Sequence, residues 1–282
     1  LEKHGLKKCQ LTIADEAIVE LIRGYTHEAG VRELERETAA VCRKAAMGIG
    51  SGKTRVRVGK QKLAAYLGAP KYTHGAIDAI NEIGLANGLA WTSFGGETLQ
   101  IEVQIVPGSG QVILTGKLGD VMQESAKAAL TFIQAHAEEI GITLPLDKKD
   151  IHLHVPEGAV PKDGPSAGIT IMTAMLSALS GIPARADTAM TGEITLRGRV
   201  LEIGGLREKL LAAYRAGIKR VLIPRANEKD LSDVPDEVKA NMEIIGVASA
   251  FDVIPLALEH RPQKAANAFI PQHAHTGAAA AQ

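Results

Sequence analysis

The chain has 282 residues, 45% of them hydrophobic, and its 32 basic and 32 acidic side chains give a formal net charge of zero. This length is enough for one large or two modest domains, each with a buried core. The balanced charge gives no bulk attraction to nucleic acid or anionic membranes, and no apolar run approaches the length that crosses a bilayer, so neither partner is expected.

Residues 1–68 have the pattern of a small, mainly helical domain. The spacing of Ile13, Ala17 and Ile22 predicts a first helix over residues 13–25. The remaining predicted elements of this domain are a helix over 31–46 that ends before the Gly-Ser-Gly at 50–52, a strand over 53–58 and a helix over 61–67.

Pro70 interrupts this pattern and marks a domain boundary, after which residues 69–261 alternate between strands and helices. The alternating segments 99–106 and 111–115 flank a turn and predict a β-hairpin, and residues 121–140 predict a long amphipathic helix. The fold class is therefore α+β or mixed α/β. The further predicted elements are strands over 151–155, 188–194 and 220–224, helices over 165–179, 205–217 and 249–259, and a disordered tail over 262–282.

Ser166 is the candidate nucleophile. It follows a turn at Asp163 and Gly164 and a proline, Pro165, that suits the first position of a helix. The unpaired amides at a helix start favour negative charge, so the amide of Ala167 is a candidate oxyanion donor. A serine at a helix start is often only a cap. Here Asp163 is the better cap candidate, and both interpretations of Ser166 stay open.

A serine nucleophile needs a base. His152 and His154 share one face of a predicted strand, but no third ligand accompanies them, and we expect no metal site. Lys209 lies beside Ala213 and Ala216 at the edge of the apolar stripe of its helix. Burial against these small residues would lower the pKa of Lys209 and make it a base. The alternative is a lysine whose amine reaches solvent.

Three blocks of this sequence stand out: PKDGPSAG at 161–168, TGEITLRGRV at 191–200 and IGGLREK at 203–209. Together they resemble the Lon protease family. The resemblance implies that Ser166 is the nucleophile, Lys209 the general base, and Thr191 the hydroxyl that holds the lysine amine. It also implies a peptidase domain of the ribosomal protein S5 domain 2-like fold, and it extends over about residues 1–260.

The same resemblance implies a substrate groove and a nucleotide contact. Trp91, within Gly-Leu-Ala-Trp-Thr at 88–92, is expected to lie beside the groove with Asp163, Gly164 and Pro165. The first domain is similar to the helical lid of an AAA+ ATPase module. In the sensor-2 segment of that lid, Arg32 is the residue expected to reach the ATP phosphates; without a nucleotide core it is an ordinary surface arginine.

The sequence contains no G-x-x-x-x-G-K-[ST] phosphate loop, so we expect peptide cleavage without any cofactor and no ATP hydrolysis by this chain. For the intact enzyme the resemblance implies ATP and Mg²⁺, a homo-hexamer, and unfolded or damaged protein substrates in the bacterial cytoplasm. Leu1 in place of Met suggests a fragment of a longer protein. The distant Cys9 and Cys42 form no disulfide framework and suit a reducing compartment.

Two alternatives remain from the residues alone. The Gly-Pro-Ser-Ala-Gly turn at 164–168 would also cradle a phosphate, as in a small-molecule kinase-like domain. In that case Lys209 would act as a fixed cation. The second alternative is a non-catalytic oligomerisation or lid module.

Overall fold

The computed structural model describes residues 1–28, 30–72, 80–92, 95–142, 148–156 and 162–262. The chain divides into two compact units, one comprising Leu1–Ala76 with Thr92–Gly95 and the other Ile77–Trp91 with Gly96–Gln282. The tail predicted over 262–282 lies, except for its first residue, outside the described residues.

In the part of the first unit that the structure describes, helices surround a two-stranded parallel sheet. Leu21, Val41 and Leu63, one from each of its three longest helices, meet in a common core. The prediction that the first helix starts at residue 13 is wrong, because the segment before it pairs as a strand. The elements are a 3-10 helix Glu2–His4, β1 (Leu11–Ile13), α1 (Asp15–Tyr25), α2 (Arg32–Gly50), β2 (Val56–Val58) and α3 (Lys60–Leu67).

The second unit contains a large sheet and the helices that cover it. No helix among the described residues is both long and apolar enough to cross a membrane. Its elements are β3 (Leu85–Thr92), β4 (Gly95–Pro107), β5 (Val112–Thr115), α4 (Asp120–Ala135), α5 (Ala137–Ile140), β6 (Lys149–His154), a 3-10 turn Pro165–Ala167, α6 (Gly168–Ser180), β7 (Thr188–Met190), β8 (Glu193–Ile194), β9 (Val200–Leu201), α7 (Leu206–Arg215), β10 (Arg220–Pro224), a 3-10 helix Arg225–Asp233, α8 (Asp236–Asn241), β11 (Glu243–Val247) and α9 (Ala250–Ala257).

The large sheet is mixed and has the strand order β11-β10-β7-β3-β4-β6-β5. The first four strands in this order are parallel neighbours, whereas β6 runs antiparallel to β4 and parallel to β5. The predicted hairpin of β4 with β5 is therefore wrong, because β6 lies between them. Ile151 and Leu153 of β6 are fully buried, whereas Val112 and Leu114 of β5 are half-buried, as expected for a strand at the edge.

Helices cover both faces of this sheet. Successive strand residues point to opposite faces, and accordingly Met190 of β7 packs with Met172 of α6 while Ala189 packs with Leu210 of α7. Helix α6 is buried along ten consecutive residues, from Gly168 to Ser177. The helix that follows Ser166 and the helix that carries Lys209 thus pack on opposite sides of β7.

Candidate active site

Ser166 lies in the middle of the 3-10 turn that leads into α6. Gly164 precedes the turn with a φ of 120°, which is strained for any residue other than glycine, and Pro165 occupies the first position of the turn. The cap positions of the turn and of α6 belong to Gly164 and Ala167. The interpretation of Ser166 as a helix cap is therefore excluded.

Asp163 is not the cap of the Ser166 turn that the sequence suggested. Its Oδ1 accepts hydrogen bonds from the Gly164 amide at 2.8 Å and from the Met122 amide in the first turn of α4 at 3.0 Å. Helix α4 starts after Gly119, which has no side chain to cap it. The prediction failed because the amide that needs an acceptor, that of Met122 in α4, lies 41 residues from Asp163 in the sequence.

Lys209 lies in the first turns of α7, and only 2% of its surface is exposed. The alternative of a solvated lysine is therefore excluded. Its Nζ donates a hydrogen bond to Thr191 Oγ1 at 3.0 Å. Burial lowers the pKa of Lys209 from 10.5 to about 8, because removal from water disfavours the ammonium form. A useful fraction of the amine is thus neutral, and able to accept a proton, near neutral pH.

Thr191 connects the lysine to the nucleophile turn. Its hydroxyl donates to the Ser166 carbonyl oxygen at 3.2 Å, and the Gly192 amide donates to the same oxygen at 2.7 Å. A hydroxyl has one hydrogen, so Lys209 must be the donor in its bond with Thr191. This arrangement uses an N–H of the lysine and leaves the lone pair of its neutral form available. The segment predicted as one strand over 188–194 is interrupted here, between β7 and β8.

Trp91 packs against the start of α7. Its side chain is 59% exposed, and one part of it covers Gly205, the residue that caps α7. A Cβ atom at Gly205 would lie 2.7 Å from Cγ of the indole, and the φ of Gly205 is 67°. The glycine therefore provides both the turn and the room for the indole. The structure brings Trp91 to the helix that carries Lys209.

Gly96 and Arg215 also contact this helix. The Gly-Gly pair at 95–96 belongs with the block at 88–92 that resembles the family's groove-side motif, but its contact with α7 and the role of Arg215 were not predicted. A Cβ atom at Gly96 would lie 1.9 Å from the Glu208 carbonyl oxygen, so β4 and α7 touch backbone to backbone. The Arg215 guanidinium donates to the Gly96 carbonyl oxygen at 2.8 Å. A glycine inside a strand often marks such a close approach, and the Gly-Gly pair at 95–96 was the available signal.

His152 and His154 lie in β6, and among their hydrogen bonds within the described part of the chain none joins them to the Ser166 turn. The Thr115 hydroxyl lies 3.0 Å from Nε2 of His152 and 2.7 Å from Nδ1 of His154, so it bridges the two rings. Among the described residues, no group of three or more His, Cys, Asp and Glu side chains is arranged to hold a metal ion.

Arg32 is the first residue of α2 in the first unit and is exposed. The carboxylate of Glu28 accepts hydrogen bonds from the Glu33 and Leu34 amides, at 2.8 Å each. Burial alone would raise the pKa of Glu28, but these two bonds, together with one from the Arg32 amide, outweigh it and lower the pKa. Glu28 thus fixes the start of the helix that presents Arg32.

Two family models match the chain. The Lon protease (S16) C-terminal proteolytic domain matches residues 57–260, and the Lon protease AAA+ ATPase lid domain matches residues 2–58. Neither match favours the kinase-like or non-catalytic alternatives.

Full-length relatives match over nearly the whole chain. The Lon protease of Nitratidesulfovibrio vulgaris is 56% identical over 262 residues, which cover 92% of this chain and 32% of that protein. The Lon protease of Escherichia coli strain K12 is 52% identical over 265 residues, or 93% of this chain and 34% of the relative. The chain spans about a third of the length of these curated relatives. It therefore belongs to the Lon protease family, and it combines the serine peptidase domain of that family with the AAA+ lid domain.

Proposed function

We propose that this chain is a serine endopeptidase in which Ser166 is the nucleophile and Lys209 the general base. The observation that carries the proposal is the connection from Lys209 Nζ through the Thr191 hydroxyl to the Ser166 carbonyl oxygen. A buried lysine with a lowered pKa beside a serine turn has the properties that a base for a hydroxyl nucleophile requires. Membership of a peptidase family supports the same assignment.

The reaction has two steps. Neutral Lys209 accepts the Ser166 hydroxyl proton as Oγ attacks the scissile carbonyl carbon, and the resulting ammonium protonates the leaving amine. This gives an acyl-enzyme ester and neutral Lys209. The lysine then removes a proton from water, which attacks the ester, and returns the proton to Ser166 Oγ. Thr191 keeps the lysine amine oriented throughout.

The oxyanion is stabilised by amides of the nucleophile turn, among them that of Ala167. In a trans peptide the carbonyl and the following N–H point in opposite directions, and the chain has no cis peptide among its described residues. Because the Ser166 carbonyl is held by Thr191 and Gly192, the Ala167 N–H has a fixed direction away from them. Each preorganised donor of this kind stabilises the transition state by about 3–4 kcal/mol.

The substrate groove in this proposal is lined by Trp91, Asp163, Gly164 and Pro165. Trp91, Asp163 and Pro165 are exposed, and Gly164 is half-buried. The exposed indole offers an apolar surface to a peptide side chain. Gly164 has no Cβ atom, so a substrate strand can approach its backbone closely.

The function of the whole protein extends this proposal. The chain spans about a third of the length of its relatives, and residues 2–58 match the Lon protease AAA+ ATPase lid domain. We therefore assign ATP and Mg²⁺ to the intact protein, with Arg32 reaching the ATP phosphates. The intact protein would form a homo-hexamer and degrade unfolded or damaged proteins in the bacterial cytoplasm as part of protein quality control. Peptide cleavage by this chain needs no cofactor.

The test is cleavage of a fluorogenic peptide, without ATP, by the Ser166→Ala and Lys209→Met variants. Both should lose at least about 1,000-fold in kcat, because each removes a member of a unit that acts together. Ser232→Ala and Lys219→Met, which alter an exposed serine and an exposed lysine, are the matched controls and should keep wild-type rates. Substantial cleavage by Lys209→Met at pH 7–9 would rule out the dyad.

A fluorophosphonate probe gives a readout that does not depend on turnover. The wild-type chain should gain one adduct, mapped to Ser166 by mass spectrometry, while Ser166→Ala should gain none. Labelling should slow in Lys209→Met because the hydroxyl lacks its base. An adduct on another serine would move the nucleophile elsewhere.

A further inference from the structure

Helix α4 is capped by a side chain that belongs to the nucleophile segment. The first amides of a helix need acceptors, usually supplied by the residue just before it. That residue is Gly119, whose backbone (φ −69°, ψ 169°) has the extended conformation of an ordinary N-cap but which has no side chain. The Met122 amide donates instead to Asp163 Oδ1 at 3.0 Å.

The Asp163 carboxylate occupies the place that a cap side chain on Gly119 would take. A Cβ atom at Gly119 would lie 2.3 Å from Asp163 Cγ and 2.6 Å from one carboxylate oxygen. The φ of Gly119 is open to every residue type, so its need for glycine comes from this close approach. Any side chain at this position must displace Asp163.

Two further contacts join the same segments. The Gly119 amide donates to the Lys162 carbonyl oxygen at 2.8 Å, and the buried Ser125 hydroxyl lies 3.5 Å from the Pro165 carbonyl oxygen. Residues on both sides of Asp163 are thus attached to the first two turns of α4. The last attachment is one residue before Ser166.

We propose that Gly119 is a positioning residue for the nucleophile. Because Gly119 has no side chain, the Asp163 carboxylate can cap α4 in its stead and thereby hold the Ser166 turn against this helix. Thr191 and Gly192 hold the turn from the side of Lys209, and the Asp163 attachment holds it from the side of α4. The two together fix Ser166 relative to its base. This inference rests on the proposed function.

The test uses Gly119→Ser in this chain, because a serine supplies α4 with a cap of its own while displacing Asp163. The melting temperature should stay within a few degrees of wild type or rise. The kcat for a fluorogenic peptide should fall about 10- to 100-fold with little change in KM, since small misplacements of reacting groups have effects of this size. Gly59→Ser, at the cap position of α3 in the first unit, is the matched control and should keep wild-type kcat.

Asp163→Ala removes the attachment without adding bulk and covers the case in which Gly119→Ser folds poorly. It should lower both kcat and the melting temperature, because α4 loses its cap. The double variant Gly119→Ser/Asp163→Ala should recover melting temperature but not kcat. Recovery of both together would show a purely structural role and overturn the proposal.

The remaining outcomes distinguish failure of the positioning role of Gly119 from failure of the proposed peptidase function. Wild-type kcat in Gly119→Ser, under conditions in which Ser166→Ala is inactive, overturns the positioning role alone. Undiminished cleavage by Ser166→Ala overturns the proposed function and the positioning role with it. A kcat loss in Gly119→Ser that leaves the melting temperature unchanged supports both.

Discussion

Lys209 Nζ donates a 3.0 Å hydrogen bond to the Thr191 hydroxyl, and both side chains are almost fully excluded from water. A single hydroxyl replaces little of the hydration that a charged ammonium loses on burial. A neutral amine loses much less hydration free energy when it is buried. The pair therefore favours the form of the lysine that accepts a proton. Four predictions follow from this relationship and from the packing around α7.

Peptide cleavage should increase with pH through the pKa of Lys209. Since only the neutral amine is a base, the rate should rise from pH 6 and level off above the pKa of about 8. The measurement is kcat/KM for a fluorogenic peptide in overlapping buffers from pH 6 to pH 10. A rate independent of pH between 7 and 9 would contradict the assignment of Lys209 as the base.

Lys209→Met should stabilise the folded chain at pH 7. The pKa of Lys209 is about 8 in the folded chain and 10.5 for an ordinary, solvated lysine, as in the unfolded chain. Between these two pH values the unfolded chain binds more protons, so the stability of the wild-type chain rises with pH there. Below pH 8 the buried lysine therefore lowers the free energy of unfolding by about 3 kcal/mol, and its hydrogen bond to Thr191 offsets about 1 kcal/mol of this loss. Urea unfolding should therefore show Lys209→Met about 2 kcal/mol more stable at pH 7, with the difference shrinking towards pH 10.5. A stability difference that is the same at both pH values would contradict the buried neutral lysine.

Thr191→Val should lower kcat much more than Thr191→Ser. Valine matches the shape of threonine but leaves Lys209 Nζ and the Ser166 carbonyl oxygen without the hydroxyl, which costs about 1–3 kcal/mol for a buried polar group. Serine retains the hydroxyl and loses only a methyl group. Steady-state kinetics on both variants, with circular dichroism to compare their folds, makes the comparison. Equal losses would assign the effect to packing.

Gly96→Ala should impair both stability and turnover. Its Cβ atom would lie 1.9 Å from the Glu208 carbonyl oxygen, so α7 and Lys209 must move. We expect a loss of about 1–3 kcal/mol in stability, as in other overpacked sites, and a lower kcat. Gly204→Ala is the control, because nothing lies within 4 Å of its Cβ position. Thermal melts and peptide kinetics of the two variants should diverge; similar behaviour would show that β4 does not position α7.

The sequence was sufficient to find the elements whose signals are local. The helical spacing in α1, α2, α4 and α7 predicted those helices to within a few residues of their observed bounds. Consecutive motif blocks singled out Ser166, Thr191 and Lys209 as candidates, and in the structure hydrogen bonds connect Lys209 through the Thr191 hydroxyl to the Ser166 backbone carbonyl.

The features that were missed depend on partners far away in the chain. The hairpin prediction for β4 and β5 failed because β6 pairs with both, and no local pattern reports an inserted strand. Asp163 was expected to cap the turn beside it, yet the vacant cap belongs to α4. Gly96 had a visible signal as one of two adjacent glycines, but only the fold identifies Glu208 as the residue it touches.

The insertion of β6 also makes the nucleophile turn depend on contacts between distant parts of the chain. Helix α4 lies on the crossover between the parallel strands β5 and β6, and the Ser166 turn comes later in the chain than both. The platform for the turn is complete only when this crossover has closed around the sheet edge. A copy in which this crossover is open keeps Ser166 and Lys209 in its sequence but lacks the contacts that attach the Ser166 turn to α4.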